Sequence, residues 1–362
     1  MSKFHKLKVK EVKNEIADAV SVVFEVPNEL KENFKYIPGQ YTTLKLTING
    51  EGVNRSYSFC SSPYMNEPFT IAVKRVTGGL GSNFINDNFK PGLELEVMEP
   101  MGKFHSPLDE RNEKHYLLFG GGSGITPVIA ILKSVLVKEP KSKVTLFYGN
   151  RNENSIIFKD KLEQLASQYP NRLKVIHVYD QPIGTGSGYT GFMVKDMVLR
   201  LLRENTDLNF RQAEFFICGP TPMMKSVEEG LQVLQIPKEK IHIEYFTARA
   251  EEDKVAADVG AAVTSEVPFT GKTKVKIIYD GNTREFEVSE KETILEAALD
   301  AGYDPPYSCM VAACCTCRAK LLSGKVEMDD RESLTDSEIS KGYVLTCQSH
   351  PKSHGIVLNY DL

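Results

Sequence analysis

Four cysteines have the type and spacing to do chemistry. Four residues separate Cys309 from Cys314, two separate Cys314 from Cys317, and 29 separate Cys317 from Cys347. A C-x4-C-x2-C…C pattern brings three thiolates to one tight loop and a fourth from a distance, the set that holds a [2Fe–2S] cluster. Cys315 stands beside Cys314, and only one of the two has a place. Choosing Cys315 would lengthen the first gap and leave a single residue in the second, too little backbone to carry two thiolates, so the spacing favours Cys314. Such a cluster carries one electron at a time, so the upstream chain is expected to deliver electrons. The rival is a zinc or scaffold module. Tetrahedral zinc usually takes paired short spacings, unlike this long gap, and a visible spectrum separates the two.

Further candidates lie upstream. Arg55-Ser56-Tyr57-Ser58, if extended, puts Arg55 and Tyr57 on one face, where a ring can stack on a flat cofactor and a guanidinium can hold phosphate. Gly78-Gly79-Leu80-Gly81-Ser82-Asn83 precedes a helix-like stretch at 84–88. Gly120-Gly121-Gly122-Ser123-Gly124-Ile125-Thr126-Pro127 sits between an apolar run at 115–119 and an expected helix at 128–137. A glycine turn opening a helix offers backbone amides to an anion. Strand, glycine loop and helix make a phosphate cradle, although Ile125 occupies the last glycine position of the dinucleotide fingerprint. Arg151 follows an expected strand at 144–148, with no acid adjacent in sequence. Arginine at that strand end suits the 2′-phosphate of NADPH, whereas an acid suits NADH. Cys218 precedes Gly219-Pro220, and Glu244-Tyr245-Phe246 closes a further expected strand. Each motif also has an ordinary structural explanation: a strand with Tyr and Ser, a tight turn, or a buried cysteine packed as a small hydrophobe.

The elements that must position these residues change character along the chain. Up to about residue 107, β-rich runs at 19–26, 41–48, 69–76 and 93–97 alternate with Gly and Pro breaks, which predicts a small antiparallel barrel. From 108 to 248, strands alternate with helices, which predicts a parallel sheet. Residues 249–271 read as a linker. From 272, a hairpin around Asp280-Gly281 and a helix at 293–301 lead into the cysteine loop. The chain of 362 residues has a net charge of −4, which gives no general reason to expect nucleic-acid binding. Residues 273–362 hold 10 Lys and Arg against 15 Asp and Glu, an acidic module suited to a soluble electron carrier. Five of the seven cysteines lie between 309 and 347. That clustering points to metal ligation in a reducing compartment, and the N-terminus shows no signal-peptide core, so a cytoplasmic protein is expected. The charge-free run 116–132 is broken by glycines and Pro127, so it reads as strand, loop and helix rather than a membrane span.

Taken together, in this order, the motifs resemble the ferredoxin–NADP reductase family, and with the C-terminal cysteine module they resemble its oxygenase reductases. The resemblance covers essentially the whole chain. It implies a multidomain protein: an antiparallel β-barrel flavin domain at 1–107, an α/β nucleotide-binding domain at 108–248, and a β-grasp ferredoxin domain at 272–362. It implies FAD held by Arg55, Tyr57 and Ser58, with Ser82 and nearby amides on the flavin phosphates. NADPH, with NADH also possible, would lie along Gly121, Gly122, Gly124, Thr126 and Arg151, beside Gly219 and Pro220. Ser58, Cys218 and Glu244 would flank the site of hydride transfer, and Phe246 would cover the ring face. Cys309, Cys314, Cys317 and Cys347 would ligate the cluster. Electrons would pass from NADPH to FAD, to the cluster, and on to a separate di-iron oxygenase component or similar acceptor. The loop departs from the family in one place. Plant-type loops usually read Cys-Arg-x-Gly-x-Cys, and here Met310-Val311-Ala312-Ala313 stand between the first two cysteines. The missing glycine removes the residue that makes unusual dihedrals easy.

Overall fold

The computed structural model describes residues 4–184, 188–207, 209–244, 246, 271–279, 281–307, 310, 312, 316–331, 334 and 336–362. The expected linker therefore lies almost wholly outside the described residues, as do Cys309, Cys314, Cys315 and Tyr245. The described chain packs as two compact units, residues up to 44 with 57–246, and residues 45–56 with those from 271 onward.

The first sheet is antiparallel where its register is defined. It is built from β1 (Phe4–Ile16), β2 (Ala19–Glu25), β3 (Tyr41–Ile48), β4 (Glu51–Ser58), β5 (Thr70–Lys74) and β6 (Glu94–Met98), in the order β4-β3-β6-β1-β2-β5. β1 shows why such a chain becomes a strand: Leu7 and Val9 are buried while Lys6, Lys8 and Lys10 are exposed, the period of two that a half-buried sheet requires. The short helix α1 (Leu80–Asn88) follows β5. It starts four residues before the helical stretch expected from sequence, because Gly79 closes a turn onto the Val76 carbonyl at 2.9 Å and starts the helix there.

The second sheet is parallel, in the order β10-β9-β8-β7-β11-β12. Its strands are β7 (His115–Gly121), β8 (Lys143–Asn150), β9 (Leu173–Tyr179), β10 (Tyr189–Thr190), β11 (Ala213–Cys218) and β12 (Ile241–Glu244). Alternation along β7 sends Tyr116 and Leu118 to one face, where α2 (Ile125–Lys138) and α3 (Lys159–Gln168) cover them. Leu117 and Phe119 go to the other face, under α4 (Lys195–Asn205) and α5 (Thr221–Val233). The central strands are thus buried on both sides and read as continuous apolar runs. Helix α2 begins at Ile125 rather than 128, because Pro127 sits in its first turn, where no amide hydrogen is required. The run 116–132 is accordingly strand, turn and helix, and among the described residues no helix is long and apolar enough to cross a membrane.

The C-terminal module has a five-stranded sheet in the order β14-β13-β19-β15-β17, with a two-stranded ribbon β16-β18 beside it. The strands are β13 (Lys272–Tyr279), β14 (Asn282–Ser289), β15 (Arg318–Ser323), β16 (Val326–Met328), β17 (Tyr343–Leu345), β18 (Ser349–Pro351) and β19 (Ile356–Asn359). Helix α6 (Ile294–Asp300) opens with a capping box, Thr293 Oγ1 accepting from the Glu296 amide at 3.2 Å and Glu296 Oε2 from the Thr293 amide at 3.1 Å. The module has its own apolar core around Val275, Ile277, Val288, Ile294, Ala298 and Leu358.

Candidate cofactor sites and the family of the chain

The parallel sheet reverses its winding between β7 and β11, the topological switch point where ligands of such folds bind. The glycine loop at 120–124 and the Gly219-Pro220 turn meet there. A β-carbon on Gly124 would lie 2.1 Å from the Cys218 carbonyl oxygen, and one on Gly219 would lie 2.9 Å from the Gly121 amide nitrogen. A β-carbon on Gly121 would meet Pro220 Cδ at 2.6 Å and Met223 Sδ at 2.7 Å. The backbones therefore touch, and no side chain fits between them. Gly122 adds a left-handed turn at φ 51°. The Gly122 carbonyl accepts from Tyr148 Oη at 3.0 Å, and Thr126 Oγ1 donates to the Ser123 carbonyl at 3.1 Å. Helix α2 opens here at Gly124 without a side-chain cap. This cradle fits a dinucleotide pyrophosphate, because it opens a helix that has no side-chain cap and its glycines allow close approach.

Cys218 and Glu244 stand in register at the ends of neighbouring parallel strands. Cys218 is fully buried, and burial together with the Glu244 charge raises its thiol well above the usual range. At neutral pH it is a neutral thiol, suited to contact rather than to nucleophilic attack. Phe246, just past Glu244, is exposed. Arg151 is exposed at the end of β8. The expectation that no acid stands beside it holds only along the chain. The Gln181 amide donates to the Arg151 carbonyl at 2.8 Å, and burial raises the carboxyl of Asp180 while the Arg151 charge opposes the rise. Asp180 was not found from the sequence, although parallel pairing of β8 with β9 puts the residues after Asn150 and Tyr179 side by side.

In the barrel, Arg55, Tyr57 and Ser58 lie at the end of β4, with Ser58 buried and the other two half-buried. Arg55 Nη1 donates to the Asn54 carbonyl at 2.8 Å. Ser82 falls inside α1, and its hydroxyl accepts from the Val76 amide at 3.1 Å, which leaves its proton for a further acceptor. Gly78 is left-handed at φ 70°. A β-carbon on Gly79 would lie 2.6 Å from Ser82 Oγ, and Gly79 gives α1 no side-chain cap. The loop and helix entrance therefore fit the phosphates of a flavin.

In the C-terminal module, Cys317 and Cys347 are both buried, beside Leu295, Ala312, Leu334 and Leu345. Thr346 ties the two together: its amide donates to the Cys317 carbonyl at 3.2 Å and its hydroxyl at 3.0 Å. Tyr360 Oη donates to the same hydroxyl at 2.8 Å. Met310 and Ala312 are left-handed at φ 58° and 54°. The loop thus keeps at Ala312, where the family has glycine, the backbone conformation that glycine favours. Two buried thiols in one apolar cluster fit soft-metal ligation.

A parallel sheet with a dinucleotide cradle, a barrel with a flavin-phosphate loop and a cysteine module define an iron–sulfur flavoprotein oxidoreductase served by a nicotinamide. Comparison with known proteins agrees along the chain. Residues 6–106 match the oxidoreductase FAD-binding domain, 118–229 the oxidoreductase NAD-binding domain and 277–352 the 2Fe-2S iron–sulfur cluster binding domain. The chain is 38% identical to a subunit of the 1,2-phenylacetyl-CoA epoxidase of Escherichia coli K12, over 100% of this chain and 99% of that one. It is 36% identical to the ferredoxin reductase component of 3-ketosteroid-9-alpha-monooxygenase of Rhodococcus rhodochrous, over 98% and 96%. The fold is that of phthalate dioxygenase reductase, with a TM-score of 0.54 at 24% identity over 98% of both chains. The chain belongs to the ferredoxin–NADP reductase family, in the branch of oxygenase reductases that carries a C-terminal [2Fe–2S] domain.

Proposed function

We propose that this chain is the reductase component of a phenylacetyl-CoA epoxidase in phenylacetate catabolism, delivering electrons to a cytoplasmic di-iron oxygenase. The observation that carries the reading is the full-length similarity to the epoxidase component of Escherichia coli. A second reading, a reductase for another hydroxylase, a desaturase or a Rieske oxygenase, is favoured by the nearly equal similarity to the ketosteroid monooxygenase component. Clustered cysteines support the reducing, cytoplasmic location. We place domain boundaries at 107, 248 and 271, and the matches over 6–106, 118–229 and 277–352 support that division.

The work is divided among the residues of the three domains. Gly121, Gly122, Gly124 and Thr126 cradle the pyrophosphate. Gly219 and Pro220 shape the adjoining wall. The neutral Cys218 thiol and Glu244 would position the nicotinamide, and Phe246 would cover the ring face. Arg55, Tyr57 and Ser58 hold the flavin, and Ser82 donates to its phosphate. When bound, the flavin converts a two-electron hydride into single electrons, which the cysteine-held cluster accepts one at a time. Cys309, Cys314, Cys317 and Cys347 are the ligands.

Arg151 favours NADPH, and Asp180 beside it favours NADH. Arg151→Ala should raise the Michaelis constant for NADPH by about one to two orders of magnitude and leave NADH little changed, since one charge-assisted bond is worth about 1.5–3 kcal/mol. Asp180→Ala should penalise NADH instead if NADH is the physiological donor. The partner is tested by anaerobic NADPH titration with purified oxygenase components. Electron delivery to a phenylacetyl-CoA epoxidase and not to the others supports the first reading; the reverse sinks it.

A further inference from the structure

The residue after the distant cysteine, Gln348, has a side chain the family reading does not use. Its Nε2 donates to the Cys347 carbonyl at 2.9 Å and to the Met310 carbonyl at 3.2 Å, and lies 3.7 Å from Cys347 Sγ. One amide group therefore reaches both the near cysteine loop and the sulfur of the distant cysteine. Its place is fixed from the backbone. The Gln348 amide donates to the Leu345 carbonyl at 3.0 Å, and the Gln348 carbonyl accepts from the Asp329 amide at 2.9 Å. The Met310 carbonyl belongs to a left-handed residue, φ 58°, so the loop conformation and the reach of Gln348 are linked.

We propose that Gln348 is a positioning residue that clamps the cysteine loop to Cys347 and raises the reduction potential of the cluster by donating to the Cys347 sulfur. This rests on the reading of Cys347 as a cluster ligand. One electron, drawn originally from the nicotinamide, adds one negative charge to the iron–sulfur–thiolate unit, and no covalent bond forms or breaks. A donor at a ligand sulfur stabilises the more negative state, and hydrogen bonds to cluster sulfurs are among the terms that set such potentials. The amide NH2 has two hydrogens for three nearby acceptors, so the sulfur shares one of them with a carbonyl. Thiolate charge in the assembled cluster makes the sulfur a better acceptor than a thiol, which strengthens that share.

The test uses the full chain with flavin and cluster assembled. Gln348→Leu removes the donor at similar volume. At the poise where wild-type protein is half reduced, the ratio of reduced to oxidised cluster should fall about tenfold, a shift of about 59 mV for a one-electron couple. Two irons per chain and an unchanged rate of flavin reduction would confirm that the rest of the machinery is intact. The wild-type ratio in a fully assembled Gln348→Leu protein overturns the proposal and leaves the cluster reading standing. If Gln348→Leu fails to assemble, wild-type protein labelled with 15N in the glutamine side-chain amide decides. Pulsed electron paramagnetic resonance of the reduced cluster should then show a 15N coupling that is absent from unlabelled protein, and its absence overturns the proposal. Wild-type protein with no iron–sulfur signal at all would overturn the underlying reading as well.

Discussion

Two loops in this molecule turn through left-handed backbone, and they do so by opposite means. At the dinucleotide cradle the left-handed turn falls on Gly122, φ 51°, and a second, right-handed glycine is required by space: a β-carbon at Gly124 would sit 2.1 Å from the Cys218 carbonyl oxygen. At the cysteine loop, Met310 and Ala312 hold positive φ without glycine. Left-handed conformation costs an ordinary L residue about 1–2 kcal/mol. The first loop avoids that cost by composition. The second carries it and offsets it with surroundings: Ala312 is buried against the module core, and the Met310 carbonyl is held by Gln348. A motif search that looks for glycine finds the first demand and misses the second.

Four substitutions break or sharpen this contrast. Gly124→Ala should have the largest effect, because two backbones would have to separate; we expect a loss of about 3 kcal/mol or more in chemical denaturation of the nucleotide-binding unit, with nicotinamide-driven flavin reduction abolished. Ala312→Val puts a β-branched residue into the left-handed region and overfills a buried site. It should cost about 2–3 kcal/mol and deplete the iron content, read by metal analysis, while flavin stays bound. Gly122→Ala tests strain without clash: Gly122 has φ 51°, close to Ala312, and the nearest atom to a new β-carbon would be Lys74 Nζ at 4.0 Å. It should cost about 1 kcal/mol, visible as a small drop in melting temperature. Ala312→Gly should do least. Relief of about 1–2 kcal/mol of strain is offset by a lost buried methyl, about 0.8 kcal/mol, and by about 0.5–1 kcal/mol of added chain entropy. A clear stabilisation by Ala312→Gly would mean that the surroundings do not offset the strain.

The barrel and the parallel sheet are legible in the sequence because strands alone and strands alternating with helices leave different patterns, and the module is legible from its hairpin turn and cysteine spacing. Strand 41–48 has the bounds that its apolar run predicts. Periodicity cannot show where a helix begins when its first turn contains glycine or proline, so α1 and α2 both start earlier than expected. The candidate site is legible where one motif suffices, as at Gly120 to Thr126. It is not legible where residues far apart in the chain meet. Asp180 comes beside Arg151 through strand pairing, and Gln348 comes to Met310 across 38 positions of chain. The same holds for Thr346 with Cys317, a clamp visible only once β17 is laid beside β15.

The contact between the glycine loop and the Gly219-Pro220 turn has a consequence for how the sequence can drift. Gly124 meets only the Cys218 and Gly219 backbone, with no side chain there to shrink in compensation, whereas Gly121 and Gly219 also lie against the Met223 side chain. A lineage that gains a methyl at Gly124 cannot be rescued by a smaller neighbour; it must first open the sheet at its centre, whereas a methyl at Gly121 meets the Pro220 ring and the Met223 side chain, where smaller residues make room. Gly124 is therefore a point of no exchange for this chain. The cysteine loop already tolerates alanine at its left-handed turn, and it remains free to trade residues there so long as its neighbours move with it.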